Sequence, residues 1–593
     1  MRMTAKRLRL TVLLATAGTV VPLALGGSAS AAGAGGVSND PNPPINGTIA
    51  GFTNGDFAFL DALNVGSLSL AQLTLAQSAA GVSNQTMQTV NSLGEKLLTT
   101  KSPAGHNAYG RAAGVSVNLG QGSASIPQVQ LTQAEVASPP PGQVKTARIL
   151  NLPLAPVANV DVQPDIATSN TTSVNDFCVL GAGHPISAGQ ATIANAEVLP
   201  VTSTQAVLAV NGTVQNNSLE ELAPNNSGAL GLDSATLLHT ANIELFKGIP
   251  GATISIKVIN PLVLQAFAGG DGSSFVTYGS GDKQKDVLSI TAGGQTATLT
   301  AEQLLGSNGL TIDVDGLLRV QIGGKPTMSV TNDKVSALAD LISVQVISLN
   351  NNTASSVGGP LAPLLNPILT PVLTALNGAT QAIDKLLTSL GIKAGVDLRV
   401  GHFEANAQVP PGGIQCHIPV SKTPSTQNVT AGNPFSVTLT ADNPYNCTIE
   451  NLKFEDKIQS QTGDVKWTVA NTSPKADGGS TDSDLTWSGL GSIAPGGHKS
   501  VTVTINVPAD SPSGELEDTA IVTGTCASGN GPGTANIHLN GTVTLHGPTV
   551  EGTGPKTVHL LPNTGSSPWL PIGGGLLAMT GLGLVAARRR TIG

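Results

Sequence analysis

Charge is the first thing this sequence has little of. Of its 593 residues only 11% are charged, against about a quarter in an ordinary soluble domain. Basic residues are fewer than acidic ones, 29 Lys+Arg against 37 Asp+Glu, for a net charge of −8. If the basic residues at both ends (Arg2, Lys6, Arg7, Arg9, Arg588, Arg589 and Arg590) leave with the end segments, 22 Lys+Arg face 37 Asp+Glu and the balance is −15. Nucleic acid and anionic polymers are therefore disfavoured as electrostatic partners. Disorder is disfavoured too, because 40% of the chain is hydrophobic.

Aromatic residues are also scarce, at 3%. Sugar-binding platforms use exposed Trp and Tyr, and before residue 561 the chain offers three Tyr plus Trp467 and Trp487. Both tryptophans fall in strand-like runs, where core packing is the expected use. There are four cysteines, with no Cys-x-x-Cys and no Cys/His pair at zinc spacing. Motifs for serine hydrolases, zinc proteases, P-loops and dinucleotide folds are missing. Ser280-Gly281-Asp282-Lys283 fits Ser-x-x-Lys but lacks the motifs that accompany it in penicillin-recognising enzymes. Asp313-Val314-Asp315-Gly316 opens like a calcium loop but lacks the later acids, so a hairpin turn is the plainer reading. No cofactor, metal or enzymatic activity is expected.

The chain is instead rich in Gly (70) and Pro (38), and it is too long for a single core. Its ends differ from its middle. The start, Met1 to Arg9, is basic; an apolar stretch runs from Leu10 to Leu25; Ala29-Ser30-Ala31 is a small-x-small cleavage site. This pattern predicts a signal peptide over 1–31, cut after Ala31 by the secretion machinery. The alternative, a retained membrane anchor, is disfavoured by the cleavage site. Residues 32–45 read as a flexible segment.

At the other end stand Leu561-Pro562-Asn563-Thr564-Gly565, an uncharged apolar run over 570–587, and a basic tail over 588–593. As a helix, 18 residues reach about 27 Å, close to the hydrocarbon core of a bilayer. The arginines would stay on the cytoplasmic side. The three parts in this order closely resemble the sorting signal of LPxTG surface proteins of Gram-positive bacteria. The resemblance implies that a sortase cysteine attacks the Thr564 carbonyl, releases Gly565 onward and passes the acyl group to a peptidoglycan amine. Pro562 holds Leu561 extended, a shape that fits a groove. The alternative is a plain transmembrane anchor with a chance motif.

Between the ends, 46–415 reads as a β-rich ectodomain of unknown function. Short apolar runs (Val115–Leu119, Val160–Val162, Ala206–Val210, Ile254–Val258, Ala297–Leu299, Leu317–Ile322) alternate with glycine turns, the pattern of sandwiches and barrels. Pro139-Pro140-Pro141 is a candidate division within it. Two stretches have helical spacing. Residues 70–98 carry Leu70, Leu73, Leu75, Met87, Val90, Leu93 and Leu97. Residues 361–390 are more regular, with a helix expected mainly after Pro371 because of Pro363 and Pro367. That helix is expected to pack on the sheet core; a membrane-lying face would carry more Lys and Arg. Residues 398–415 read as a closing strand, broken at Pro410-Pro411-Gly412-Gly413.

Residues 416–546 change to strict alternation: Phe435, Val437, Leu439; Val501, Val503, Ile505, Val507; Ile537, Leu539, Val543, Leu545. About seven strands are expected, in an Ig-like β-sandwich. The runs HIPVSKTPSTQNVTAGNPFSVTLTADNP and SIAPGGHKSVTVTINVPADSPSGELEDTAIVTGT resemble the conserved-repeat Ig-like domains of bacterial surface proteins, here in one copy rather than a tandem array. The upstream VDLRVGHFEANAQVPPGGIQC is similar to wall-anchored proteins of high-GC Gram-positive bacteria, which brings no activity with it. Within such a sandwich Cys447 opens a strand and Cys526 ends one, so they are expected to pair, leaving Cys178 to Cys416. The other pairing considered is Cys416 with Cys447. Lys422 on the first strand and Asn536 or Asn540 on the last allow an ammonia-releasing cross-link with Glu517 or Asp518 shuttling protons, set against the plainer reading of exposed strand acids. Residues 547–560 form a linker.

The expected architecture is thus mainly β, with one or two helices, an Ig-like sandwich and a C-terminal sorting helix. The expected role is a structural or adhesive protein, secreted and fixed to the wall, whose partners are the secretion machinery, sortase, peptidoglycan and an unidentified extracellular ligand. A wall-anchored enzyme with its site in 46–415, or a carbohydrate-binding module, is the alternative.

Overall fold

The computed structural model describes residues 47–551, apart from internal stretches of which the longest are 98–104, 172–176, 178–183, 347–355, 390–396 and 528–535. The chain is mainly β: among the described residues the strands form sheets of eleven, fourteen, four and five members, accompanied by helices Ala301–Leu305 and Ala362–Ser389.

The first two sheets are built from residues 50–408. The opening strand Ala50–Val65 lies between Leu68–Ser83 and Asp397–Gln408, with Phe52 opposite both Gly81 and Asn406. The last strand of this part therefore pairs with the first, which closes the intervening chain, residues 66–396, into one body. All six apolar runs read from the sequence lie in strands, apart from Leu317, which is outside the described residues; its run continues as the strand Leu318–Ile322. The chain crosses from the eleven-stranded to the fourteen-stranded sheet at the prolines: Val129–Ser138 belongs to the former and Gly142–Lys145 to the latter.

The expected helix over 70–98 is not there. Leu68–Ser83 is a strand and the residues after it are irregular. The cause is a register shift between Leu70 and Gln72 in the pairing with Ala108–Gln121. One extra residue turns a period of two into a step of three, from Leu70 to Leu73, which imitates helical spacing. The strand is also buried on both faces from Leu73 to Val82, so no polar alternation exposes it as a strand.

The second helix forms but starts earlier than expected, at Ala362, and keeps Pro367 and Pro371 inside it. Each costs about 3 kcal/mol through a missing N–H and ring crowding. Leu365, Leu369, Val372 and Leu376 are buried beneath the helix, and at roughly 1.5–3 kcal/mol each they outweigh the two prolines. No helix among the described residues is long and apolar enough to cross a membrane.

The two large sheets pack face to face through small and polar residues. Ser78 and Ser218 hydroxyls meet at 2.9 Å, Asn216 donates to the Ala76 carbonyl at 3.1 Å, Ser187 to that of Gly81 at 3.2 Å, and Ser234 to that of Asn406 at 2.8 Å. Here side chains of one sheet bond to the backbone of the other. Glycine makes the approach possible: a Cβ on Gly189 would stand 2.0 Å from the Arg111 carbonyl, and one on Gly110 would stand 2.2 Å from that of Ala188.

Residues 420–551 form the two smaller sheets, stacked as a sandwich. One has strands Val420–Thr423, Pro434–Asp442, His498–Asn506 and Thr468–Ser473; the other has Asn428–Thr430, Asn536–Glu551, Gly514–Ala527, Ile449–Thr462 and Asp484–Trp487. Phe435, Val437, Leu439, Val501, Val503 and Ile505 from the first meet Phe454, Ile458, Leu516, Ala520 and Val522 from the second. Trp487 is buried among them, and Trp467 packs partly buried at the margin.

Candidate functional site

The residues singled out at the two ends, Ala29 and Ala31, Leu561 through Gly565 and the 570–587 run, lie outside the described residues, as does Cys178. Cys447 and Cys526 form a disulfide with Cα atoms 5.9 Å apart, next to the Ile449–Cys526 pair of their sheet. Cys416 is also disulfide-bonded, and its pairing with Cys447 is ruled out. Asp313 sits in a hairpin strand bound to Arg319 at 2.8 Å, where a calcium loop would need it free; Asp315 and the whole Ser280–Lys283 stretch are outside the described residues.

A cluster that no motif announced lies on the eleven-stranded sheet. His402 and Asp340 face each other across adjacent strands, with His402 Nδ1 2.6 Å from Asp340 Oδ1. Ser92, on the loop after the second strand, places its Oγ 3.2 Å from His402 Nε2. The order Ser–His–Asp is that of a hydrolase triad. His402 is fully buried and Ser92 is exposed. Acyl transfer also needs donors aimed at a developing oxyanion, and here the loop's own amides are committed. The Ser92 N–H donates to the Glu404 carboxylate at 2.8 Å, those of Leu93 and Glu95 to the Asn91 side chain, and that of Gly94 to the Asn91 carbonyl. A carboxylate beside Ser92 would repel an oxyanion. The nearest cleft, of about 210 Å³, is lined by Asp340, Arg399, Asp397 and Lys325, below the usual 300 Å³ or more of ligand pockets. The arrangement is built to clamp the 91–95 loop onto the sheet.

Beneath it lies a buried polar centre. Glu95 accepts from Gln77 at 2.8 Å and Asn91 at 2.7 Å and also contacts Thr74, while Arg111 donates to Gln77. Burial, then the charge of Glu95, holds the Asp56 carboxyl well above the usual carboxylate range, and burial lowers the Arg111 guanidinium. Burial likewise raises Glu220, and takes Asp233 to about 7. These acids bond to Ser234 and Gln265 respectively. Among the described residues no group of three His, Cys, Asp or Glu side chains is placed to hold a metal ion.

In the sandwich the structure corrects the Lys422 expectation. Asn540 pairs with Thr523, whereas Asp518 pairs with Leu545. Asn540 therefore lies five residues, about 17 Å, along the strand from the level of Asp518. The Lys422 ammonium meets the carboxylate of Asp518 itself, which is thus the lysine's partner and not a proton shuttle to an asparagine. Glu517 points the other way, accepting from Gln459 at 2.6 Å at the exposed face.

Comparison with known proteins adds the following. Three solved structures resemble the chain only faintly. AvmM, described as catalysing macrocyclization in alchivemycin A biosynthesis, is 11% identical, with 26% of this chain and 98% of that one covered and a TM-score of 0.17. The α2-macroglobulin of E. coli is 10% identical, with coverage of 86% and 38% and a TM-score of 0.15. A putative membrane-anchored protein from Corynebacterium diphtheriae is 9% identical, with coverage of 85% and 98% and a TM-score of 0.13. Likenesses this slight carry no argument. No curated protein matches the sequence. The family model of the LPXTG cell wall anchor motif matches residues 555–592, and the chain thus carries an LPXTG cell wall anchor at its C-terminus.

Proposed function

We propose that this chain is exported through its N-terminal signal, cut after Ala31, and joined through Thr564 to peptidoglycan by a sortase, where it serves as a structural or adhesive surface protein. The observation that carries this reading is the anchor match over 555–592. The apolar run 570–587 stalls the exported chain in the membrane, and Arg588, Arg589 and Arg590 hold its end on the cytoplasmic side. Residues 416–551, taken as an Ig-like domain whose last strand runs past the expected boundary at 546 to Glu551, stand next to the wall on the linker 552–560 and carry the 46–415 ectodomain outward. A structural role is supported by the broad stacked sheets and by the disulfide, which suit a load-bearing outer-surface body.

Muramidase digestion of the wall tests it. The expected product is this chain bearing peptidoglycan fragments at Thr564, absent in Thr564→Ala cells. A wall-linked Thr564→Ala chain would sink the anchoring.

One observation favours a second reading, an anchored hydrolase using Ser92, His402 and Asp340. A fluorophosphonate probe decides: labelling of the native chain that Ser92→Ala abolishes supports the enzyme, and no labelling leaves the structural role.

A further inference from the structure

A lysine inside a small sandwich is expensive unless something uses it. In the strand Val420–Thr423 the side chains alternate, Val420 and Lys422 inward, Ser421 and Thr423 outward. Lys422 pairs with Leu439 and takes the place of an apolar core residue, with its side chain 4% exposed.

Two carboxyls meet it from the facing sheet. Asp456 lies on Ile449–Thr462 between buried Phe454 and Ile458, and Asp518 on Gly514–Ala527 between buried Leu516 and Ala520. Asp456 pairs with Ala520, and Ile458 with Asp518. The two acids are therefore diagonal neighbours on one inner face. The Lys422 Nζ is in direct contact with Asp518. Neither oxygen of Asp456 has a hydrogen-bond partner, nor does the second oxygen of Asp518.

As ordinary ions these groups make a poor core. An uncompensated buried charge costs several kcal/mol, and a buried pair repays that only when hydrogen bonds satisfy the remaining atoms. Here they do not. The arrangement does suit a reaction: an amine touching a carboxyl and a second carboxyl beside both, all three buried.

We propose that Lys422 and Asp518 are joined by an intramolecular amide bond, formed by the folded protein itself with Asp456 as proton carrier. The Lys422 ammonium first yields a proton to the acids. Its Nζ lone pair then attacks Cγ of Asp518 and a C–N bond forms. Asp456, protonated, hydrogen-bonds the Asp518 oxygen on which charge develops. A proton from the nitrogen passes through Asp456 to the departing hydroxyl, the C–O bond breaks, and one water leaves. Amine plus acid gives amide plus water, with no oxidant or cofactor. Burial prepares the amine and the proton carrier, lowering Lys422 to about 8 and raising Asp456 to about 6. The product replaces two buried charges by one neutral group.

The bond would join the four-stranded sheet to the five-stranded one, which the disulfide does not, since Cys447 and Cys526 stitch neighbouring strands of a single sheet. Its mechanical use rests on wall attachment; its existence does not. Tension entering near Val420 and leaving after Glu551 would pass directly from residue 422 to 518, and residues 423–517 would be spared the load.

Mass spectrometry of the full chain, reduced and alkylated, is the test. The expected result is a mass one water below that of the sequence, no tryptic cleavage at Lys422, and a branched peptide joining the segments around residues 422 and 518. Lys422→Arg and Asp518→Ala should each restore the missing water. Asp456→Ala should restore it while leaving both reactants in place, with unchanged circular dichroism. A native chain of full mass, with Lys422 and Asp518 in separate linear peptides, overturns the proposal whether or not any variant folds. An Asp456→Ala chain that still lacks the water removes Asp456 from the mechanism. The muramidase experiment reads a different bond, so either result can fail without the other.

Discussion

The two β regions of this chain hold their sheets together by different means. Over 50–408 the large sheets lie so close that backbone carbonyls nearly touch the facing glycines, and hydroxyls and amides bridge what remains. Over 420–551 the sheets are separated by ordinary Phe, Val, Leu and Ile side chains, and a disulfide ties two neighbouring segments within one of them. Close packing on small residues leaves no space to adjust, whereas a core of larger side chains repacks around small changes. The first region should thus be brittle to added volume and the second dependent on its disulfide.

The largest effect should come from Gly189→Val. Its Cβ would overlap the Arg111 carbonyl, and backbone cannot rotate aside as a side chain can. We expect a loss of more than about 4 kcal/mol, read as disappearance of the first region's calorimetric transition while the sandwich melts as before. Loss of both transitions would show that the regions are not separable in this way.

Next is the pair Cys447→Ser and Cys526→Ser. The bridge closes a separation of 79 residues, and its removal should cost about 4 kcal/mol in the chain-entropy account. Denaturant unfolding should show the midpoint of the sandwich falling and that of the first region unchanged.

A smaller effect concerns pH. Asp233 titrates near 7 when folded because burial raises it, and near 3.9 when unfolded. Between those values the folded state holds a proton the unfolded state has lost, so this group's contribution to stability is present at low pH and falls as pH rises through that window. Asp233→Asn keeps the bond from Gln265 and should flatten that part of the pH–stability curve. A slope unchanged by the substitution would mean that other buried acids, Asp56 and Glu220 first, carry it.

The smallest is Ser92→Ala, which removes one hydroxyl contact to His402 at an exposed loop. A loss of about 1 kcal/mol or less is expected, seen as faster amide exchange confined to residues 91–95. A global loss would mean that the Ser92–His402–Asp340 line supports the whole sheet.

How much of this was legible beforehand varied with locality. The sandwich strands could be read because one face of each is buried and period two survives in the sequence, as at Phe435, Val437 and Leu439. The central strands of the large sheets, covered on both faces, keep no such period, and at Leu70 a one-residue shift counterfeits a helix. The Lys422 partner was misplaced by register. Asn540 and Asp518 lie on paired strands, yet Lys422 contacts Asp518, and the pairing of Asp518 with Leu545 puts Asn540 five residues away from that level. Ser92 and His402 are 310 residues apart and no local signal links them.

The linear sequence alone is enough for the wall anchor over 555–592, with the Leu561–Gly565 motif inside it. Such signals are read as short extended or simply hydrophobic segments, so their meaning is complete in a few dozen consecutive residues. Which strands became neighbours, where glycine was indispensable and which acids meet Lys422 were settled by three-dimensional packing. Those outcomes depend on side chains brought within a few ångströms by pairing across hundreds of residues, and a linear pattern carries no record of that distance.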